Sequence, residues 1–284
     1  MILLLCMALY ITSLNSGSNG NCFYVGNGQE AVLIDAGLSC KETEWRMEQA
    51  GLNMHHVKAL FISHEHADHI KGLETIALKY SLPVYCSSIT HTQTILARSK
   101  ANFNYFSDEC LVMVGGLTVL PFKKYHDAKD AHSFMVSYNN TNVGIFTDIG
   151  KICANVIKYY LQCHAVFLEA NYDEEMLANG SYPYFLKQRI TGGLGHISNK
   201  EALEMVLNHK SKQLQHLLLS HLSKNNNCPT LVQQIFKTAL PKMDVQVAGR
   251  NAATPVLTVG QNNAIIRTKL SQRNKHELQL CLFN

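Results

Sequence analysis

Apolar positions in the first half of the chain fall into short runs separated by Gly- and Asn-containing turns. Runs of this length, rich in Val, Ile, Phe and Tyr, read as strands. They cover residues 8–14, 22–25, 31–35, 59–63, 83–86, 117–122, 133–138 and 143–147. Asn139-Asn140-Thr141-Asn142 is expected to join the last two as a hairpin, because Asn tolerates positive φ. Helical spacing interrupts the strands at 41–50, closing at Gly51, and again at 70–80, 89–98 and 152–161. Beyond residue 165 come a strand at 165–169, helices at 173–178, 184–190 and 199–208, a strand at 216–220, a helix at 230–239, and strands at 245–248 and 264–267. Ser198 and Glu201 stand at capping-box spacing ahead of the 199–208 helix.

Each half is thus a run of strands with flanking helices. The expected fold is α/β, a four-layer αββα sandwich with two mixed sheets packed face to face and helices outside. No internal repeat, low-complexity stretch or linker is evident, so one domain over residues 1–267 is expected, followed by a polar tail at 268–284.

A hydrophobic content of 46% beside 16% charged residues supports a sizeable core and argues against disorder. The net charge of +4 suits a phosphate-bearing partner without requiring one. The nine cysteines are odd in number, scattered and free of any C-x-x-C pair. That excludes a disulfide framework and a structural zinc knuckle, and it points to the cytoplasm. Residues 1–11 are apolar but lack a basic start and a cleavage site, and they are too short to span a bilayer. A core strand from residue 8 is preferred and no membrane association is expected; whether residues 1–6 are native is open.

The chemistry concentrates in Ser63-His64-Glu65-His66-Ala67-Asp68-His69, directly after an apolar run. Alternation sends His64, His66 and Asp68 to one side of an extended segment and His69 to the other. One loop can therefore serve two neighbouring cations, His64 and His66 facing one, Asp68 and His69 the next. Core packing gives no reason to cluster three histidines with an aspartate, whereas metal binding does. His126, Asp148 and His221 occupy equivalent places, each a polar residue at the end of an apolar strand.

The ordered set Asp35, His64-x-His66-x-Asp68-His69, His126, Asp148 and His221 resembles the metallo-β-lactamase-fold hydrolases. The resemblance spans about residues 8–250 and implies two divalent ions. His64, His66 and His126 would hold the first, Asp68, His69 and His221 the second, and Asp148 would bridge them. The segments Ser16-Gly17-Ser18-Asn19-Gly20-Asn21-Cys22, Glu169-Ala170-Asn171-Tyr172-Asp173, Gly195-His196-Ile197-Ser198-Asn199 and Ser220-His221-Leu222-Ser223 are similar to the YycJ-like (WalJ) metal-dependent exonuclease group. That likeness implies phosphodiester hydrolysis on nucleic acid, with DNA favoured, and a place for His196 beside the scissile phosphate.

Two cations suit this reaction because they ionise a shared water and stabilise both the attacking and leaving oxygens. A mixed His/Asp set accepts Zn2+, the default, and Mn2+ as the alternative. Asp68 is the candidate base, with a purely ligating role equally open. His196 is the candidate general acid or phosphate contact. The start of the 199–208 helix offers N–H groups to a phosphate, with Ser198, Asn199 and Asn225 as candidate substrate contacts. Asp35 is expected to orient a ligating histidine. The remaining histidines are ordinary, His132 being the nearest in sequence to His126. Tyr125, Tyr172, Tyr182 and Tyr184 either pack or stack on unpaired bases. The competing readings are a thioester or lactone hydrolase on the same centre, an RNA-processing nuclease, and a regulator that uses metal only to hold its fold.

Overall fold

A computed structural model describes residues 8–209 and 211–260. The expected strand at 264–267 and the tail at 268–284 lie outside the described residues. The first sheet is built from β1 (Leu9–Asn15), β2 (Cys22–Gly26), β3 (Ala31–Ile34), β4 (Val57–Phe61), β5 (Pro83–Cys86) and β6 (Asn102–Tyr105), completed by β14 (Leu257–Val259) beside β1. The second runs through β7 (Val112–Val114), β8 (Leu117–Lys123), β9 (His132–Tyr138), β10 (Thr141–Phe146), β11 (Ala165–Glu169), β12 (His216–Ser220) and β13 (Asp244–Val247) in that spatial order. Both sheets are mixed in the same way. β14, β1, β2 and β3 pair antiparallel, then β3 to β6 pair parallel. Likewise β7 to β10 pair antiparallel and β10 to β13 parallel.

Alternation along the strands decides the layering. Leu9, Ile11, Phe23, Val25, Ile34 and Phe61 of the first sheet meet Val119, Phe134, Val136, Ile145 and Phe167 of the second in one buried core. Phe23 lies 5.0 Å from Phe167, and Phe61 meets Phe134 edge-on at 5.8 Å between ring centres. The other face of the first sheet packs on α1 (Cys40–Gln49) and α3 (Leu73–Tyr80), just after α2 (Ala67–Ile70), with α4 (Ser88–Thr92) following β5. The other face of the second sheet packs on α5 (Ala154–Tyr160), α8 (Asn199–Asn208) and α9 (Pro229–Ala239); α6 (Glu174–Asn179) and α7 (Tyr184–Thr191) sit over a small satellite cluster. Four layers result, as expected.

Several elements differ from the sequence reading for local reasons. The 70–80 helix is two pieces, because Gly72 lies where the Leu38 carbonyl comes too close for any Cβ, 1.8 Å from its ideal position. Gly72 also donates to the Ala36 carbonyl rather than continuing a helix. The 89–98 helix stops at Thr92, whose hydroxyl bonds back to the Ser88 carbonyl, and resumes as a 3-10 turn capped by the Thr94 hydroxyl. The hairpin loop is two residues rather than four. Asn139 and Asn140 both take positive φ (45° and 62°), so Thr141 and Asn142 are released into β10. Three strands went unanticipated, β6, β7 and β14, and all three are sheet edges. Edge strands are short and lack the strict alternation that pairing on both sides imposes.

Candidate metal centre

The parallel strands of both sheets end along one rim of the sandwich, and their exits supply the site. The loop after β4 carries His64, His66, Asp68 and His69; Asp35 follows β3; His126, Asp148 and His221 follow β8, β10 and β12; Glu169 ends β11. Asp35, Asp148 and His221 all take left-handed backbone angles, φ 62°, 54° and 56°. Strain of this kind, of order 1–3 kcal/mol per residue, collects where a side chain must be aimed.

Hydrogen bonds to Nδ1 fix the orientation of His64, His69, His126, His196 and His221, while Asn21 Nδ2 stands 3.0 Å from His69 Nε2. Asp35 is buried and accepts from Ser63 N at 2.8 Å, Ser63 Oγ at 2.9 Å and His69 Nδ1 at 2.7 Å. With its proton committed to Asp35, Ser63 Oγ accepts from His64 Nδ1 at 2.9 Å. One carboxylate therefore fixes two rings, His69 directly and His64 through Ser63, with Nε2 of both turned to the centre. His126 Nδ1 donates to the Gly195 carbonyl at 3.1 Å, which leaves its Nε2 as an acceptor. Glu169 accepts from His221 Nδ1 at 3.0 Å and His196 Nδ1 at 2.7 Å on one oxygen, and from Ile149 N at 2.6 Å on the other. It thereby ties two rings to the backbone next to Asp148.

The freed atoms converge in two groups, His64/His66/His126 and Asp68/His69/His221, each within 4.8 Å, with Asp148 joining the neighbouring groups. In the first, His66 Nδ1 lies 3.1 Å from His64 Nε2 and 3.4 Å from His126 Nε2. In the second, Asp148 Oδ2 is 3.3 Å from His69 Nε2, Asp148 Oδ1 is 3.4 Å from His221 Nε2, and Asp68 Oδ2 is 3.6 Å from both rings. Neighbouring ligands of a tetrahedral ion with bonds of about 2.0–2.1 Å stand roughly 3.3 Å apart. The spacing therefore fits metal coordination. Asp148 Oδ2 and His221 Nε2 are also buried without a hydrogen bond, as atoms directed at a cation would be.

Electrostatics divide the site. Burial, helped by His69, holds His64 well below the usual imidazole range, and burial brings His126 down to about 4. For His69, burial opposes the charge, but Asp35, Asp148 and Asp68 outweigh it and push the ring well above the ordinary value. His221 rises to about 10, where burial is overcome by Asp148, Asp68 and Glu169. Burial would lift Asp148, yet His221 and His69 keep it well below the usual carboxylate range. Lys124 is buried here too, its Nζ donating to the Thr147 carbonyl at 2.6 Å, and burial depresses it.

A cleft of about 280 Å³ opens over these residues, lined among others by Ser18, His66, Asp148, Asn171, Tyr182 and His196. Asn225 is exposed at its margin, its amide 3.4 Å from the Tyr182 hydroxyl. Ser198 and Asn199 are buried behind it. Ser198 completes the capping box with Glu201 and donates to Glu174; Asn199 and Asn227 bond each other through their side chains. The first donors of α8 are thus occupied, Ser198 N by Glu201, Asn199 N by the Tyr172 carbonyl and Glu201 N by Ser198, and the helix start is no open phosphate seat. His132 is buried but belongs to none of the ligand groups: its ring bonds the Asp130 carbonyl and lies edge-on to Phe106, and its backbone N–H donates to the Ser63 carbonyl. Glu169 escaped the sequence reading as a site residue; its signal was an acid closing the apolar strand Ala165–Leu168, the position Asp148 and His221 also hold.

The profile of the beta-lactamase superfamily domain matches residues 30–221. The chain belongs to the beta-lactamase superfamily. Over 237 residues it is 35% identical to the exodeoxyribonuclease YycJ of Bacillus anthracis, covering 82% of this chain and 90% of that protein. The exodeoxyribonuclease WalJ of Streptococcus pneumoniae serotype 2 is 29% identical over 239 residues, covering 82% and 89%. Among solved structures, the metallo-beta-lactamase fold protein YhfI from Bacillus subtilis superposes with a TM-score of 0.68 at 18% identity, over 87% of this chain and 98% of YhfI. This superfamily fold implies divalent metal ions, and the His/Asp cluster is where this member can hold them.

Proposed function

We propose that this superfamily member is a nuclease working with two divalent metal ions, that it hydrolyses phosphodiester bonds of DNA, and that it attacks from a strand end. The observation that carries the chemistry is the set of freed nitrogens and carboxylate oxygens lying 3.1–3.6 Å apart in two adjoining groups. Support for the substrate comes from relatives named exodeoxyribonucleases that align over 82% of the chain.

His64, His66 and His126 would hold one ion and Asp68, His69 and His221 the other, with Asp148 available to both groups. Zn2+ is the default occupant and Mn2+ the alternative. When bound, the ions supply Lewis acidity toward water and the phosphate. Asp68, the most accessible of the acids in the cluster, orients the incoming water and takes its proton on the carboxylate. His196 is anchored through Nδ1 to Glu169, so its Nε2 faces the cleft and donates a proton to the departing oxygen. Asn225 contacts substrate at the margin, whereas Ser198 and Asn199 act behind the site by holding the loop that carries His196. The seven described cysteines are all unpaired, in keeping with our placement of the protein in the reducing cytoplasm. Among the described residues, no helix is long and apolar enough to cross a membrane.

The test is nucleotide release from end-labelled DNA by chelator-treated protein before and after Mn2+ or Zn2+ is restored, with a phosphodiester and a thioester chromogen run in parallel. Metal-restored cleavage of DNA and of the phosphodiester is expected. Equal activity with and without metal, or preference for the thioester, overturns the proposal.

A further inference from the structure

We propose that the outer face of α7, built from Phe185 and Arg189 beside Tyr182, grips unpaired nucleotides, so that the strand entering the cleft is single-stranded where it crosses this helix. This rests on the nuclease reading above.

Tyr182, Leu186, Arg189 and Ile190 all line the cleft. Within that segment, Tyr182, Leu186 and Ile190 pack with Tyr172 and Leu177 in the satellite cluster, Ile190 being only 8% exposed. Helical spacing then puts Phe185 one turn from Arg189 on the adjoining face, four residues apart and within side-chain reach. The satellite cluster does not include Phe185: its ring is 72% exposed. Arg189 is 60% exposed and bonds Asp127 through Nε alone, so both Nη nitrogens have no partner among the described residues. An exposed flat ring one helical turn from a cleft-lining guanidinium with two free nitrogens matches the alternating base and phosphate of a single strand.

The chemistry selects unpaired nucleotides. A base within a duplex has both faces covered by its neighbours, whereas an unpaired base offers its face to an aromatic ring, and its phosphate is a natural partner for a guanidinium. The other exposed aromatics near the cleft are less suited. Tyr125 already carries the Lys151 ammonium over its ring at 3.9 Å. Tyr184, although 76% exposed, lines a separate groove with Lys187, Gln188 and Thr191 on the far side of the helix. Tyr172 is buried. Of the four tyrosines expected either to pack or to stack, only Tyr182 reaches the cleft, and Phe185 adds a ring that the sequence reading did not single out.

The experiment uses the metal-loaded full chain, as wild type, Phe185→Ala and Phe185→Tyr. Substrates are a single-stranded oligonucleotide with 2-aminopurine near its end, the blunt duplex of the same sequence, and bis(p-nitrophenyl) phosphate. Stacking of one base predicts a roughly tenfold rise in KM for the single strand in Phe185→Ala, with kcat within about twofold. Phe185→Tyr should restore KM, and quenching of 2-aminopurine should be lost only in Phe185→Ala. Hydrolysis of the small diester, which has no base to stack, reports whether the centre itself is intact. An unchanged KM and unchanged quenching in Phe185→Ala overturn the proposal, as does an equal loss on the blunt duplex. The two readings separate cleanly. DNA cleavage with no Phe185 dependence retires the gripping face and keeps the nuclease; Phe185-dependent quenching with no metal-dependent cleavage retires the nuclease and keeps the face.

Discussion

Loading the centre with metal should expel protons from the two histidines whose charged form the surrounding carboxylates favour. His64 and His126 are pushed down by burial, His126 to about 4, so near neutral pH they present bare nitrogens. His69 and His221 are the opposite. Against burial, the carboxylates around them raise His69 well above its ordinary value and His221 to about 10. A cation cannot share those Nε2 atoms with protons, so about two protons should leave per chain when both positions fill between roughly pH 7 and 9. Apparent affinity should then climb with pH by up to about two decades per unit, the share owed to His221 fading as pH passes about 10. The same protons bear on stability. A group whose folded value lies above its unfolded value near 6.5 stabilises the fold fully below pH 6.5, and that contribution disappears as pH rises through about 10. The metal-free protein should therefore lose Tm over that interval while the loaded protein holds, so the gap between them widens with pH. Calorimetric titration of metal at about pH 7.5, in buffers of different ionisation enthalpy, counts the protons directly. A count of zero, or a Tm gap that does not change with pH, would refute the assignment of His69 and His221 as protonated in the absence of metal.

Two further substitutions probe the supports. Glu169→Gln retains the shape but cannot accept from His196, His221 and Ile149 N together, so the metals should bind about 10–100-fold more weakly, read by chelator competition. Wild-type affinity in that variant would remove Glu169 from the site. Gly37→Ala would put a Cβ 1.8 Å from the Asp68 carbonyl oxygen and 2.5 Å from Asn21 N, displacing the segment that carries Asp68 and His69. Metal content by elemental analysis should fall with Tm, whereas Gly249→Ala, whose Cβ meets nothing nearer than 3.7 Å, should be close to neutral.

Much of this molecule is readable from the chain because its central strands, β11 and β12 among them, are buried on both sides. β5, β11 and β12 and helix α8 match their expected limits, since continuous apolar runs and a capping box leave little freedom. Legibility fades where tertiary contact decides. Nothing local forecasts that Leu38 presses on Gly72 and splits a helix, or that Asn139 and Asn140 close a hairpin in two residues. In the site, the seven expected ligands come together because each follows an apolar strand, a position visible in sequence. The hydrogen bonds that choose which nitrogen faces inward were not visible, since Gly195 O meets His126 and Glu169 meets His221 across long separations. Ser198 and Asn199 illustrate the converse: residue type suggested a contact with substrate, while burial and mutual bonding assign their side chains to the loop behind it.

Each group of the centre draws residues from both sheets. His64, His66, Asp68 and His69 ride on the first, and His126, Asp148 and His221 on the second. Phe23 against Phe167 and Phe61 against Phe134 are thus the spacers that set how far apart those halves stand. Trimming such a ring, far from any reacting atom, would let the layers slip and detune the reactive centre. Interior packing in this protein is in that sense a calibration of its chemistry, and conservative changes in the oily middle deserve the same scrutiny as changes at the rim.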